Sequence, residues 1–94
     1  MAEENKNDDT IFVGKKPSMA YVLAAITQFS SGKNEIIIKA RGKSISKAVD
    51  VSQIIKNKFI PEIKFSKIEI GTDQLETESK DKINVSTIEI TLNK

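Results

Sequence analysis

Apolar and polar positions change period several times along the chain, and each change marks an element. Thr10 to Val13 is a short β-branched and aromatic run ended by Gly14, which suits a first strand. Pro17 then stands where a helix can begin, because the first helical turn has no use for the missing N–H. Met19, Val22, Leu23, Ile26 and Phe29 follow at helical spacing, with Tyr21, Ala25 and Gln28 on the other faces, and Gly32 supplies a stop. The spacing predicts a helix over about 17–31. Asn34 to Ala40 contains Ile36, Ile37 and Ile38, a run suited to a central strand, and Arg41-Gly42-Lys43 breaks it. From Ser44 the helical period returns, with Ile45, Ala48, Val49, Ser52, Ile55 and Phe59 along one stripe. Val51 and Ile54 lie off that stripe, so this helix is apolar on more than one side and suggests a protein partner. Ile60-Pro61 ends it, since the residue before proline disfavours helical backbone.

Two strands complete the pattern. Phe65, Ile68 and Ile70 mark one, and Ile88, Ile90 and Leu92 mark the other, where Glu89 and Thr91 alternate outward. Residues 72–84 between them are polar and read as a long hairpin arm extending beyond the body. Residues 1–9 hold no apolar side chain except Met1 and Ala2, and read as a disordered acidic tail. The order β-α-β-α-β-β predicts an α+β fold: a two-layer sandwich over residues 10–94, with a mixed four-stranded sheet and both helices on one face.

Composition narrows what such a fold can do. A chain of 94 residues is one small domain. Folding at this size buries about 60–65% of the surface exposed by the unfolded chain, so pairing with a second copy is a natural way to bury more. The absence of cysteine and histidine removes disulfides, thiolate metal sites, the commonest metal ligand and the commonest general base. No metal or cofactor is expected. The polar, acidic amino terminus does not read as a signal peptide, and no apolar run approaches the roughly 20 residues that span a bilayer. A membrane role is therefore not expected, and the cytoplasm or nucleoid is the expected location.

The net charge of +2 conceals an uneven distribution. Residues 11–60 carry nine lysine and arginine side chains against Glu35 and Asp50, whereas residues 1–10 and 61–94 are each net acidic. A basic first half points to a polyanion partner. Enzymatic readings fare poorly. Ser44 and Ser46 beside Lys43 and Lys47 are the only local nucleophile–base candidates, and serines and lysines are ordinary at a basic helix start. Glu62, Glu69, Asp73 and Glu76 are spread over a strand and a loop, and read as solvated edge residues. Gly42-Lys43-Ser44 resembles the end of a phosphate-binding loop, but position 37, where the first glycine would stand, is Ile.

The basic loops remain. Gly14-Lys15-Lys16-Pro17 and Lys39-Ala40-Arg41-Gly42-Lys43 each follow a strand and precede a helix. If those strands are parallel neighbours, both loops emerge at one sheet edge. Lys15, Lys16, Arg41 and Lys43 then converge with two helix amino termini whose dipoles also favour anions. Such a surface suits a phosphate backbone rather than base edges.

At these residues the chain resembles the Alba family of archaeal chromatin proteins. The resemblance is carried by Ile-Phe-Val-Gly-Lys-Lys-Pro-Ser-Met-Ala-Tyr-Val-Leu-Ala-Ala (11–25), Lys-Ala-Arg-Gly-Lys-Ser-Ile-Ser-Lys-Ala-Val-Asp (39–50) and Val-Ser-Thr-Ile-Glu-Ile (85–90). It implies a fold like the carboxy-terminal domain of a bacterial translation initiation factor, assembled as a homodimer that binds double-stranded DNA, and often RNA, with little sequence preference. Lys15 and Lys16 match the family's paired lysines, and Lys15 corresponds to an acetylation target, which implies a lysine acetylase and deacetylase as partners. Arg41 matches the first of two loop arginines; Lys43 replaces the second, keeping the charge without the bidentate fork. Phe59 matches an aromatic that packs one dimer against another.

One departure concerns the arm. The family's hairpin is expected to reach along the minor groove with basic residues near its tip, whereas residues 73–82 here hold Asp73, Glu76, Glu78 and Asp81 against Lys80 and Lys82. Most affinity is therefore expected from the two loops. The full set expected to meet nucleic acid is Lys15, Lys16, Tyr21, Arg41, Lys43, Lys47, Lys80 and Lys82, in a non-enzymatic dimer that coats and compacts DNA. The alternative is an RNA-binding role in ribonucleoprotein assembly or translation.

Overall fold

A computed structural model describes residues 9–94. The tail expected over 1–9 lies outside the described residues except for Asp9, whose carbonyl accepts a hydrogen bond from Ile37 N (2.6 Å). In chain order the elements are β1 (Thr10–Phe12), α1 (Ser18–Ser30), β2 (Glu35–Arg41), a 3-10 turn (Gly42–Ser44), α2 (Ile45–Ile54), a π-helical turn (Ile55–Phe59), β3 (Lys64–Glu76) and β4 (Lys82–Asn93). The strands form one mixed sheet in the order β1-β2-β4-β3. β1 and β2 are parallel, and the other two pairs are antiparallel.

Alternation along the strands sorts residues between two faces. Ile11 and Val13 of the first strand region, Ile36, Ile38 and Ala40 of β2, and Ile88, Ile90 and Leu92 of β4 are buried in one core with side chains from both helices. This confirms the expected α+β architecture with the helices on one face. Ile55 and Ile63, both fully buried, close the core where α2 leaves the helical layer and β3 begins.

In both helices the buried arc differs from the expected stripe. Val22, Ala25 and Phe29 are buried in α1, whereas Met19 and Leu23 are exposed. Ala48, Val51 and Ser52 are buried in α2, followed by Ile55, whereas Val49 is exposed. The arc follows positions i, i+3, i+4 and i+7, and Ala25 and Ala48 lie within it because a small side chain lets the helix approach its neighbours closely. Ser52 enters this apolar layer by donating its hydroxyl to Ala48 O (2.9 Å), a local partner that a serine in a helix always has within reach.

Helix ends explain the remaining boundaries. α1 finishes with Gly32 at φ 107°, while Gly32 N donates to Phe29 O and Lys33 N to Gln28 O. That is the glycine stop read from the sequence, built as a Schellman motif. The second helix ends in the π turn, closed by Ile60 N donating to Ile55 O (2.8 Å) five residues back. The wider turn carries Phe59 outward, 44% exposed, although periodicity placed it on the buried stripe.

The long hairpin arm expected over residues 72–84 is present, and it is a regular ladder. The β3–β4 pairing continues to Glu76 opposite Lys82, so residues 72–76 and 82–84 are its two strands. At the tip Lys80 N donates to Thr77 O (2.9 Å), Thr77 N to Asp81 O (2.8 Å), and Lys80 takes φ 67°. A side chain is held here in the left-handed region that glycine enters more easily.

Candidate nucleic-acid interface

The parallel register of β1 and β2, with Phe12 opposite Lys39, sets the following turns side by side. Val13 N extends the pairing by donating to Lys39 O (2.8 Å). The turn after β1 spans Gly14 to Pro17, and the turn after β2 is the 3-10 segment Gly42–Ser44. Gly42 adopts φ 59°, in the left-handed region that glycine enters without the strain a β-carbon brings, so the residue suits this reversal. Lys15 and Arg41 line the same open depression of about 680 Å³, together with Tyr21 and Ser44. Of the four cations expected to converge, Lys15 and Arg41 share this depression, and Lys16 and Lys43 are not in its lining.

Two side chains set the shape of the first turn. The Tyr21 hydroxyl accepts hydrogen bonds from Gly14 N (2.9 Å) and Lys16 N (3.1 Å). The Lys47 ammonium, reaching across from α2, donates to Gly14 O (3.0 Å) and Lys16 O (2.8 Å). Four hydrogen bonds thus fix a turn that carries Lys15 and Lys16 outward, both exposed. Tyr21 and Lys47, expected as contacts, are first of all the supports of that turn. An ammonium has three donors, and Lys47 commits two of them to these carbonyls. Lys56 acts similarly at the other end of α2, donating to Pro61 O (3.2 Å) and Ile63 O (2.7 Å).

The free positive charge is consequently narrower than the lysine count. Among the described residues Lys15, Lys16 and Lys43 make no ion pair, whereas Arg41 lies 3.7 Å from Asp73 of the arm and Lys39 3.2 Å from Glu89. Neither α1 nor α2 has a side-chain cap at its amino terminus, and neither holds an acidic residue in its first turn. Both helix starts therefore favour an anion, in the same direction as the exposed lysines.

Lys80 and Lys82 are not part of this cluster. Arg41 pairs with Thr87, which faces Gly71, and five further residues of β3 lead to Glu76 opposite Lys82. At the usual strand rise this puts the tip about 17 Å beyond the basic turns. On the arm Asp73 faces Val85 and Leu75 faces Ile83, and Asp73 leans back on Arg41. Sequence reasoning missed two members of the site. Asp73 reaches it through a pairing distant in sequence, which no local pattern encodes. Phe12, 61% exposed in the same depression, was signalled by alternation, since Ile11 and Val13 on either side are buried.

The Alba family model matches residues 9–72, which takes in β1, β2, the first part of β3, both helices and both basic turns. The chain belongs to the Alba family. It is 57% identical over 94 residues, the full length of both chains, to the DNA/RNA-binding protein Alba of Thermoplasma acidophilum. Against the protein of the same name from Methanocella arvoryzae it is 51% identical over 85 residues, covering 90% of this chain and 88% of the relative. The solved structure of Alba from Thermoplasma volcanium superposes with a TM-score of 0.86 at 58% identity, covering 90% of this chain and 99% of the other. ALBA1 from Trypanosoma brucei shares the fold at a TM-score of 0.76 and 22% identity, covering 93% of this chain and 69% of that one. Among the described residues no helix is long and apolar enough to cross a membrane, and no group of three or more His, Cys, Asp or Glu side chains could hold a metal ion.

The Arg41–Asp73 pair generates a specific expectation. Both partners are more than half exposed, so the pair itself is worth little, but a phosphate approaching the guanidinium would have to compete with Asp73. Asp73→Asn should raise duplex affinity about 1.4- to five-fold at low salt, a range set by the roughly 0.2–1 kcal/mol of an exposed pair. Fluorescence anisotropy with a labelled duplex measures this. An unchanged or reduced affinity would show that Asp73 does not mask Arg41.

Proposed function

We propose that this protein binds double-stranded nucleic acid without sequence preference, using Lys15, Lys16, Arg41 and Lys43 to neutralise backbone phosphates. The observation that carries this reading is the convergence of the two basic turns beside two uncapped helix starts. The exposed cations of the two turns suit phosphate rather than base edges. The relatives named DNA/RNA-binding protein Alba support the same class of partner. The protein is not an enzyme. Its expected setting is the cytoplasm, on the chromosome, where a backbone-binding dimer present in quantity would coat and compact DNA. Lys15, exposed and without an ion pair among the described residues, also suits acetylation by a partner enzyme, which would remove one cation from each turn.

A homodimer completes the reading. Ile68 and Ile70 stand opposite Ile90 and Ile88, hence on the helix-side face of β3, yet they are 59% and 83% exposed. β3 is an edge strand, and α2 adds the exposed Val49. A second copy covering this face would bury these side chains and double the basic array. Phe59, exposed at the end of the π turn, would remain available for contact between dimers on DNA.

Two measurements check these points. With eight cations per dimer, log affinity for a duplex should fall with log salt at a slope of roughly −4 to −7. Lys15→Ala combined with Lys16→Ala should flatten that slope and weaken unrelated duplexes equally; a slope near zero, or loss on one sequence only, contradicts phosphate binding. Running the titration on DNA and RNA duplexes of matched length decides between a chromosomal and a ribonucleoprotein role. For the dimer, Ile70→Lys should give monomers in sedimentation equilibrium at concentrations where the unchanged protein sediments as a dimer. Monomer in both, or dimer in both, would count against this interface.

A further inference from the structure

Phe12 is an exposed aromatic side chain on the sheet face that no helix covers. Its neighbours Ile11 and Val13 turn into the core, so the ring points to the open side, where 61% of the residue is accessible. Lys39, its register partner on β2, brings its ammonium within 5.4 Å of the ring centroid. The ring lies in the same depression as Lys15 and Arg41. The two carboxylates of that depression are already engaged, Glu89 with Lys39 and Asp73 with Arg41. What remains is a flat π surface with cations beside it.

A duplex cannot use such a surface, because its bases are stacked on one another inside the helix. A single strand can. Its unpaired bases splay out and stack on aromatic side chains, while its phosphates track basic groups. We propose that Phe12 is a stacking platform for an unpaired nucleobase of a single strand whose flanking phosphates sit on Lys15 and Arg41. This deepens the phosphate-binding reading of the basic turns and rests on it. The ammonium of Lys39 beside the ring serves the same ligand, since it can turn from Glu89 to the incoming strand.

The test uses the full chain and three probes of one sequence: a single-stranded RNA 12-mer, the corresponding single-stranded DNA, and the DNA duplex. Phe12→Ala should weaken single-strand binding about five- to 150-fold, the range given by one lost stacked base. Duplex affinity should change by less than about two-fold. Because the chain contains no tryptophan, Phe12→Trp places a lone reporter at the site. Its fluorescence should be quenched by the single strands and not by the duplex. A loss with only RNA or only DNA supports the platform and names its source. Equal losses on single strand and duplex, or no loss with no quenching, overturn the inference. Failure of the unchanged protein to bind the single strands while it binds the duplex also overturns it and leaves the phosphate reading standing. Failure to bind even the duplex removes that reading itself.

Discussion

Side-by-side parallel pairing of β1 with β2 is the constraint on which the rest of this molecule depends. β1 is only three residues long, and alone it would have no stability. It holds its place because Ile11 and Val13 enter the core and because Asp9 O and Val13 N extend its bonding to β2 at both ends. Parallel direction then decides where the chain leaves the sheet. Both turns exit at one edge, both precede a helix, and the positive side chains they carry meet without any pairing between the turns themselves.

Lysine is used in two physically distinct ways here. Lys47 of α2 and Lys56 of the π-helical turn aim their ammonium groups at backbone carbonyls and tie loops to the helical layer. Lys15, Lys16 and Lys43 carry charge into solvent with no acidic partner among the described residues. The first use supports the second. A turn held by Tyr21 and Lys47 presents its charges with less conformational freedom left to lose when phosphate arrives. The acidic arm moderates the same surface, because Asp73 sits on Arg41 and the tip lysines stand well away from it.

Much of this was legible in the sequence, for reasons visible in particular residues. Gly32 stops a helix because it accepts positive φ, and the isoleucine run at 36–38 marks a central strand because both of its faces are at least partly covered. The basic turns were legible because a right-handed β-α-β unit leaves little choice of edge. Other features depend on contacts that no local period encodes. The buried arcs of α1 and α2 include Ala25 and Val51, which the periodic stripes left out, because of what each helix packs against. The arm is a continuous ladder although its residues are polar, since cross-strand hydrogen bonds need only backbone. Lys47 meets the Gly14–Lys16 turn across more than thirty residues, so its structural part could not be read from the chain.

The central claim is that the first basic turn binds phosphate because Lys47 holds it in shape. A double-mutant cycle tests it most directly, with Lys47→Met measured for duplex affinity in the unchanged protein and in the Lys15→Ala/Lys16→Ala background. The account predicts a clear loss in the first case and almost none in the second, because the support has nothing left to position. An equal loss in both backgrounds would mean that Lys47 meets the nucleic acid itself, and the account would be contradicted.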